Sequence, residues 1–304
     1  MMRSMYAAVA GLRTHQQRMD VIGDNIANVN TPGFKRARAT FQDIFYQTLR
    51  GGSAGSETRG GTNPQQIGLG ISLGTIDVIH TQGNAQPTGK QDDLMIQGDG
   101  FFVLSNVENP NSPPQDTEVE VYYTRAGAFS FVPVDGATEC YLVNPANGMY
   151  VMGYVDGPGQ GEIGRIGIPS NAKSFSIDIY GNVHYVDGDT GESMWAGQIV
   201  VAKFTNPGGL EKVGENMYRY APAAGPEAAD YNQPFDPDAD RIYLGGTPGV
   251  SGRGTIRSGA LEMSNVELAQ EFTDMIVTQR GFQANARVIT VSDEMLAELA
   301  NLKR

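Results

Sequence analysis

At 304 residues the chain is long enough to bury a real core, yet its apolar fraction of 40% is modest and its formal charge is −12, from 34 acidic and 22 basic residues. No cluster of Lys and Arg follows one face, so nucleic acid is not an expected partner. Cys140 stands alone, which excludes an intramolecular disulfide, and without an apolar run of about eighteen residues or a basic-then-apolar leader, neither membrane insertion nor a cleaved secretory signal is expected.

Residues 4–30 open the chain with one amphipathic pattern. Met5, Leu12, Met19 and Ile26 recur at seven-residue spacing, and Val9, Ile22 and Val29 widen the stripe, which predicts a long helix. Asn25, Asn28, Asn30 and Thr31, then Pro32, Gly33 and Phe34, close it. Short polar side chains can bond backbone there, and Gly33 can take a positive φ. Two readings stay open: a plain helix stop, and a turn leading into an arm that serves an interface.

Residues 35–79 are expected to form an extended connecting arm. Within it residues 51–74 are polar and rich in glycine, as in a linker with little packing of its own. From residue 80 to 259 strands dominate. Leu94–Ile96 and Phe101–Leu104 flank Gly98-Asp99-Gly100, residues 141–143 and 149–155 flank Asn147-Gly148, and Ile177, Ile179, Val183 and Tyr185 flank Gly181-Asn182. Each set reads as a hairpin. Residues 105–118 and 221–240 read as inserted loops or a small lobe, and Cys140 as a small buried strand residue.

The last segment, residues 264–302, repeats the pattern of the first. Leu268, Met275, Phe282, Ile289 and Leu296 hold a heptad spacing, while Phe272, Ile276, Val288, Val291, Met295 and Leu299 broaden it beyond a single seam. Of the 39 glycines, Gly11, Gly23, Gly33 and Gly281 alone fall in residues 1–48 or 262–304. The expected fold is therefore α+β: a discontinuous helical coiled coil formed by residues 1–34 and 260–304, with an all-β domain inserted between them. One partner helix cannot cover the wide C-terminal stripe. Each large apolar side chain buried contributes about 1.5–3 kcal/mol, which favours contacts between subunits.

Nothing points to catalysis or a cofactor. His15, on a polar helix face, and His80 and His184, in strand-like settings, lack metal-ligand spacing. Gly159-Gln-Gly161-Glu-Ile-Gly164 matches a dinucleotide motif in letters, but no helix pattern follows it. Asp236, Asp238 and Asp240 open like a calcium loop, but Arg241 stands where glycine is needed, and Asp187 and Asp189 read as turn residues.

The two ends carry a family resemblance. Residues 4–36, SMYAAVAGLRTHQQRMDVIGDNIANVNTPGFKR, and 264–302, SNVELAQEFTDMIVTQRGFQANARVITVSDEMLAELANL, resemble the terminal signatures of bacterial flagellar rod and hook proteins, and residues 80–104 are similar to the lead into that family's first β domain. The resemblance implies a non-enzymatic, self-assembling subunit of a helical tube, with the terminal helices lining its inner wall. It implies location in the hook or basal body after export through the flagellar type III apparatus. Implied partners are copies of the chain itself, the distal rod protein, hook cap and hook–filament junction proteins, and that export apparatus. Phe41 and Phe45 match a segment read by the export gate; packing against the β body is the other reading. Residues 59–64, 66–70 and 291–295 look more like the hook subunit, a flexible torque coupling. The distal rod subunit, a rigid drive shaft, is the alternative. A secreted oligomeric β-domain adhesin or carbohydrate-active protein is a further one.

Overall fold

The structure is a computed structural model that describes residues 2–55, 60–106, 120–134, 138–155, 157, 163–225 and 245–301. The chain is α+β, with helix α1 (Met2–Ala27) and helix α2 (Leu268–Asn301) flanking a long β-rich region. It divides into two compact units, one of Met1–Val29, Arg36–Ile79 and Val266–Arg304, the other of Asn30–Lys35 and His80–Asn265. The chain therefore passes between the units four times.

In the first unit α1 and α2 pack together and the arm joins them. The arm is not a bare linker. Ala37–Asp43 pairs antiparallel with Ile71–Val78, from Ala37 opposite Val78 to Asp43 opposite Ile71, and Tyr46–Arg50 pairs with Gln65–Gly68. The Ile44 amide donates to Gly70 and the Leu69 amide to Phe45, so the two ladders form one continuous hairpin. Residues 51–74 look like a linker by composition, because a two-stranded ladder rests on backbone hydrogen bonds and cross-strand pairs rather than on a core. The Thr40 and Thr75 hydroxyls, 2.6 Å apart across the ladder, are such a pair.

The second unit is built on a sheet that follows the order Ser174–Ile177, Asn182–Val186, Ser193–Ile199, Tyr150–Tyr154, Phe101–Ser105, Val121–Thr124, Met217–Arg219, Glu211–Gly214, with further strands branching from it. The strand Phe101–Ser105 is buried throughout. Alternation sends Phe102 and Leu104 into one apolar cluster, with Leu94, Phe129 and Val151, and Phe101 and Val103 into another, with Tyr123, Met152 and Phe204. A strand covered on both faces reads in sequence as a continuous apolar run.

Two of the three expected hairpins form. Val143 pairs with Tyr150 around Asn147-Gly148, and Ser174–Ile177 pairs with Asn182–Val186 around Gly181, whose φ is 75°. The third does not. Leu94–Gln97 pairs with Thr255–Ser258 instead, because the Gly98 and Gly100 carbonyls are both taken by the Arg125 guanidinium, at 2.9 and 2.7 Å, which holds the bend open. Cys140 is half-buried in the strand Glu139–Val143, not fully enclosed. Asp187 accepts hydrogen bonds from Asn171 and Thr190, as turn chemistry requires. The acidic run at 236–240, residues 159–162 of the glycine motif and most of the two expected insertions lie outside the described residues. Among the described residues no helix is long and apolar enough to cross a membrane.

Candidate assembly interface

The seam between α1 and α2 keeps a heptad period in a different frame from the apolar one. Its most enclosed positions are Ala8, Gly11, Thr14, Ile22 and Asn25 on α1 and Glu271, Thr278 and Ser292 on α2. Glu271, Thr278, Asn285 and Ser292 are seven apart. Small residues allow this frame to win. A Cβ on Gly11 would lie 2.6 Å from Asn285 Nδ2, and one on Gly281 2.6 Å from His15 Cε1, so a side chain added at either glycine would have to displace the Asn285 or His15 side chain that fills the space. The hydroxyls are satisfied within their own helices, Thr14 donating to Ala10, Thr278 to Asp274 and Ser292 to Val288. His15 lies in the seam, correcting the expectation of a polar face. Its ring meets Phe41 edge-on at 5.6 Å, and burial, then the Arg18 charge, lowers its pKa.

The lower end of the seam is tied by Asn25. Its Nδ2 donates to the Ala37 carbonyl at 2.8 Å and to Glu271 Oε2 at 3.1 Å, while its Oδ1 accepts from the Ala37 amide at 2.9 Å. Arg36 reaches Glu271 at 3.7 Å and Arg18 reaches Asp274 at 3.2 Å. Asn25 thus acts like a strand residue at the end of a helix, joining both helices to the arm. Asn28 folds back onto Asp24.

Displaced from the centre, the apolar frame flanks the seam. Met5, Val9, Leu12, Met19 and Ile26 are half-buried and Ile22 is buried; Met275, Phe282, Ile289 and Leu296 are half-buried. Leu268 and Phe272 are exposed, and so are Ile276, Val277, Val288, Val291, Met295 and Leu299. The arm adds Ile44, Tyr46, Leu49, Ile67 and Leu69. Phe45 is 79% exposed, whereas Phe41 packs on the His15 ring and the Arg18 guanidinium. Exposed apolar surface on this scale makes α2 and the arm the candidate contact face.

In the second unit the turn residues Asn30–Lys35 are held by groups that no sequence pattern indicated. Gly33, at φ 73°, donates its amide to the Glu262 carbonyl at 2.8 Å, and a Cβ there would meet the Ala126 amide nitrogen at 2.5 Å. Asn30 is exposed, Phe34 is buried with Lys212 Nζ 4.6 Å from its ring centre, and the Asn216 amide donates to the Pro32 carbonyl. Beneath them Lys35 and Glu262, both side chains fully enclosed, meet at 2.6 Å, and Arg125 Nε reaches Glu262 at 3.1 Å. Lys35 also donates to the Thr81 carbonyl, the Gly83 amide to Glu262, and Asn265 Nδ2 to Thr81 Oγ1. Burial outweighs the attraction of Glu262 and lowers the pKa of both Lys35 and Arg125. Residues 30–35, 80–83 and 262–265, where the chain passes between units, are thereby bonded to one another. Among the described residues no group of three or more His, Cys, Asp or Glu side chains is placed to hold a metal.

Comparison with known proteins gives the family of the chain. Residues 5–35 match the family model described as flagella basal body rod protein, 95–185 that of the flagellar hook protein FlgE/F/G D1 domain, and 257–302 that of the flagellar basal body rod FlgEFG protein C-terminal. The chain is 46% identical over 310 positions to the flagellar basal-body rod protein FlgG of Bacillus subtilis, with both chains covered in full. It is 33% identical over 310 positions to the corresponding protein of Borreliella burgdorferi, and 30% identical over 473 positions to the flagellar hook protein FlgE of the same organism, again with full coverage of both. The chain belongs to the family of flagellar basal-body rod and hook proteins, structural subunits of the flagellum.

Proposed function

We propose that the chain is a distal rod subunit of the flagellar basal body, which polymerises with copies of itself into a helical tube and serves as a rigid drive shaft. The observation that carries this is a match of length as well as sequence: the 46% identical rod protein aligns with all 304 residues over 310 positions. The hook relatives need 473 and 496 positions, so they hold sequence that this chain lacks. The hook-like residues at 66–70 and 291–295 are outweighed by that difference, and Arg59 of the first such motif lies outside the described residues.

In this reading α1 and α2 form the inner wall, and the exposed apolar row from Phe272 to Leu299 packs against neighbouring copies. The hairpin arm reaches adjacent subunits, and its exposed Phe45 is available to the export apparatus before assembly. Expression in strains of Bacillus subtilis lacking either the rod protein FlgG or the hook protein tests the assignment. Restored rods and motility in the first strain alone are expected; rescue of the second alone would identify a hook subunit.

A further inference from the structure

A titratable ring sits where α1 and α2 come closest. His15 occupies the space that a side chain at Gly281 would need, since a Cβ there would lie 2.6 Å from its Cε1 and 2.8 Å from its Nε2. From the arm, the Phe41 ring meets it edge-on at 5.6 Å. The imidazole is thus held between α2 and the arm, all three elements belonging to the first unit. Its Nδ1 is sealed from solvent and has no hydrogen-bond partner. With the proton on Nε2 this costs little, because an unmet lone pair is cheaper than an unmet charged donor.

We infer that His15 is an acid-sensitive latch on this seam: the neutral ring fills the gap at Gly281 and holds α1 against α2, and the protonated ring drives them apart. The charges around it favour the neutral form. On α1 itself Arg18 stands one turn on, while Arg13 and Asp20 are exposed. On α2, Asp274 is engaged by Arg18 at 3.2 Å and Gln270 at 3.3 Å, Glu271 by Asn25 and Arg36, and Arg280 beside Gly281 is a further cation. On the arm, Asp77 faces Arg38, and Tyr46 donates to Asp43. An imidazolium therefore meets like charge and a sealed, unanswered Nδ1–H, and gains water only if the seam opens. Burial, then Arg18, accordingly lowers the His15 pKa. Since the folded value lies below the ordinary one of about 6.5, the open chain takes the proton first. Pairing of the helices is then complete above about pH 6.5 and weakens as the pH falls, the opening constant rising by up to about tenfold per pH unit.

Urea denaturation of the full-length protein between about pH 7.5 and about pH 5 tests the latch. Far-UV circular dichroism follows α1 and α2, the two α-helices among the described residues, and fluorescence follows Trp195, the chain's single tryptophan, in the second unit. The helical midpoint of the parent is expected to fall with pH. His15→Gln should remove most of that fall and leave the Trp195 transition as in the parent. His15→Phe, which fills the gap with a ring that does not titrate, should do the same and guards against poor packing of the glutamine. The chain has three histidines, so isotope labelling of histidine resolves the His15 titration by NMR. Its midpoint is expected below about 6.5, and higher in Arg18→Gln, where a like charge is lost and Asp274 is released. A parent midpoint at or above about 6.5, or a helical transition that falls with pH equally in the parent and both His15 variants, overturns the proposal.

Discussion

Glu262 joins more of the second unit than any residue whose role the sequence announced. Its Oε1 accepts from Lys35 and the Gly83 amide, and its Oε2 faces Arg125. Glu262→Gln leaves two enclosed cations short of their counter-charge and is expected to cost about 3–5 kcal/mol in chemical denaturation. Lys35→Met should cost less, since Arg125 still pairs with Glu262; equal losses would show that the pairs do not share one carboxylate. His80 gives the unit a pH dependence with a definite sign. Its folded pKa of about 4 lies below the usual 6.5, so the unfolded chain takes up the proton first. Stability is full above about pH 6.5 and falls as the pH drops towards 4, by up to roughly 3 kcal/mol. A His80→Phe protein should lose that slope, as urea midpoints across this range would reveal. None of these pairings was legible in the sequence, because Lys35 and Glu262 stand 227 positions apart and nothing local marks them as partners.

Helix packing depends on spaces as much as on side chains. Gly281→Val must push aside the His15 ring and is expected to weaken α1–α2 pairing, lowering helical content by circular dichroism. Gly23 is the contrast: an added Cβ meets nothing within 4 Å, so Gly23→Ala should stabilise by about 0.5–1 kcal/mol through helix propensity. Destabilisation by both would show that the glycines matter for another reason. In the arm, Phe45→Ala is expected to reduce export of the chain without altering its melting temperature, because the ring is exposed, whereas Phe41→Ala should also lower stability by removing the contacts with His15 and Arg18. Periodicity made both helices readable, since it reports which faces are apolar. It misplaced the seam because it gives no weight to Gly11, Ala8 or Thr278, where size rather than hydrophobicity decides the approach. It missed the hairpin arm for a related reason, as backbone pairing leaves little trace in composition. The lone glycines at 11 and 281 in otherwise glycine-poor ends were the clue to the true frame.

For the whole molecule, the exposed apolar row of α2 is the surface that the proposed polymer would cover. Replacing Ile276 and Val291 with Asp places charge on that row, where both residues are about half exposed. Electron microscopy should then find no polymers, while denaturation of the second unit stays unchanged; polymers of normal length would remove α2 from the subunit contact. Gly11 and Asn285 meet only after 273 intervening residues have been threaded between them. Closing so long a flexible loop costs about 5 kcal/mol by chain statistics alone. The bonds among Lys35, Thr81, Glu262 and Asn265 gather the strands that lead to both helices, so a folded β unit removes most of that penalty before α1 and α2 touch. Timing follows from this. On the proposed rod assignment, a chain whose α2 has yet to fold offers α1 no seam to enter and displays no apolar row, and is expected not to polymerise. On that assignment, α2 is the helix whose folding is expected to make the subunit competent for assembly.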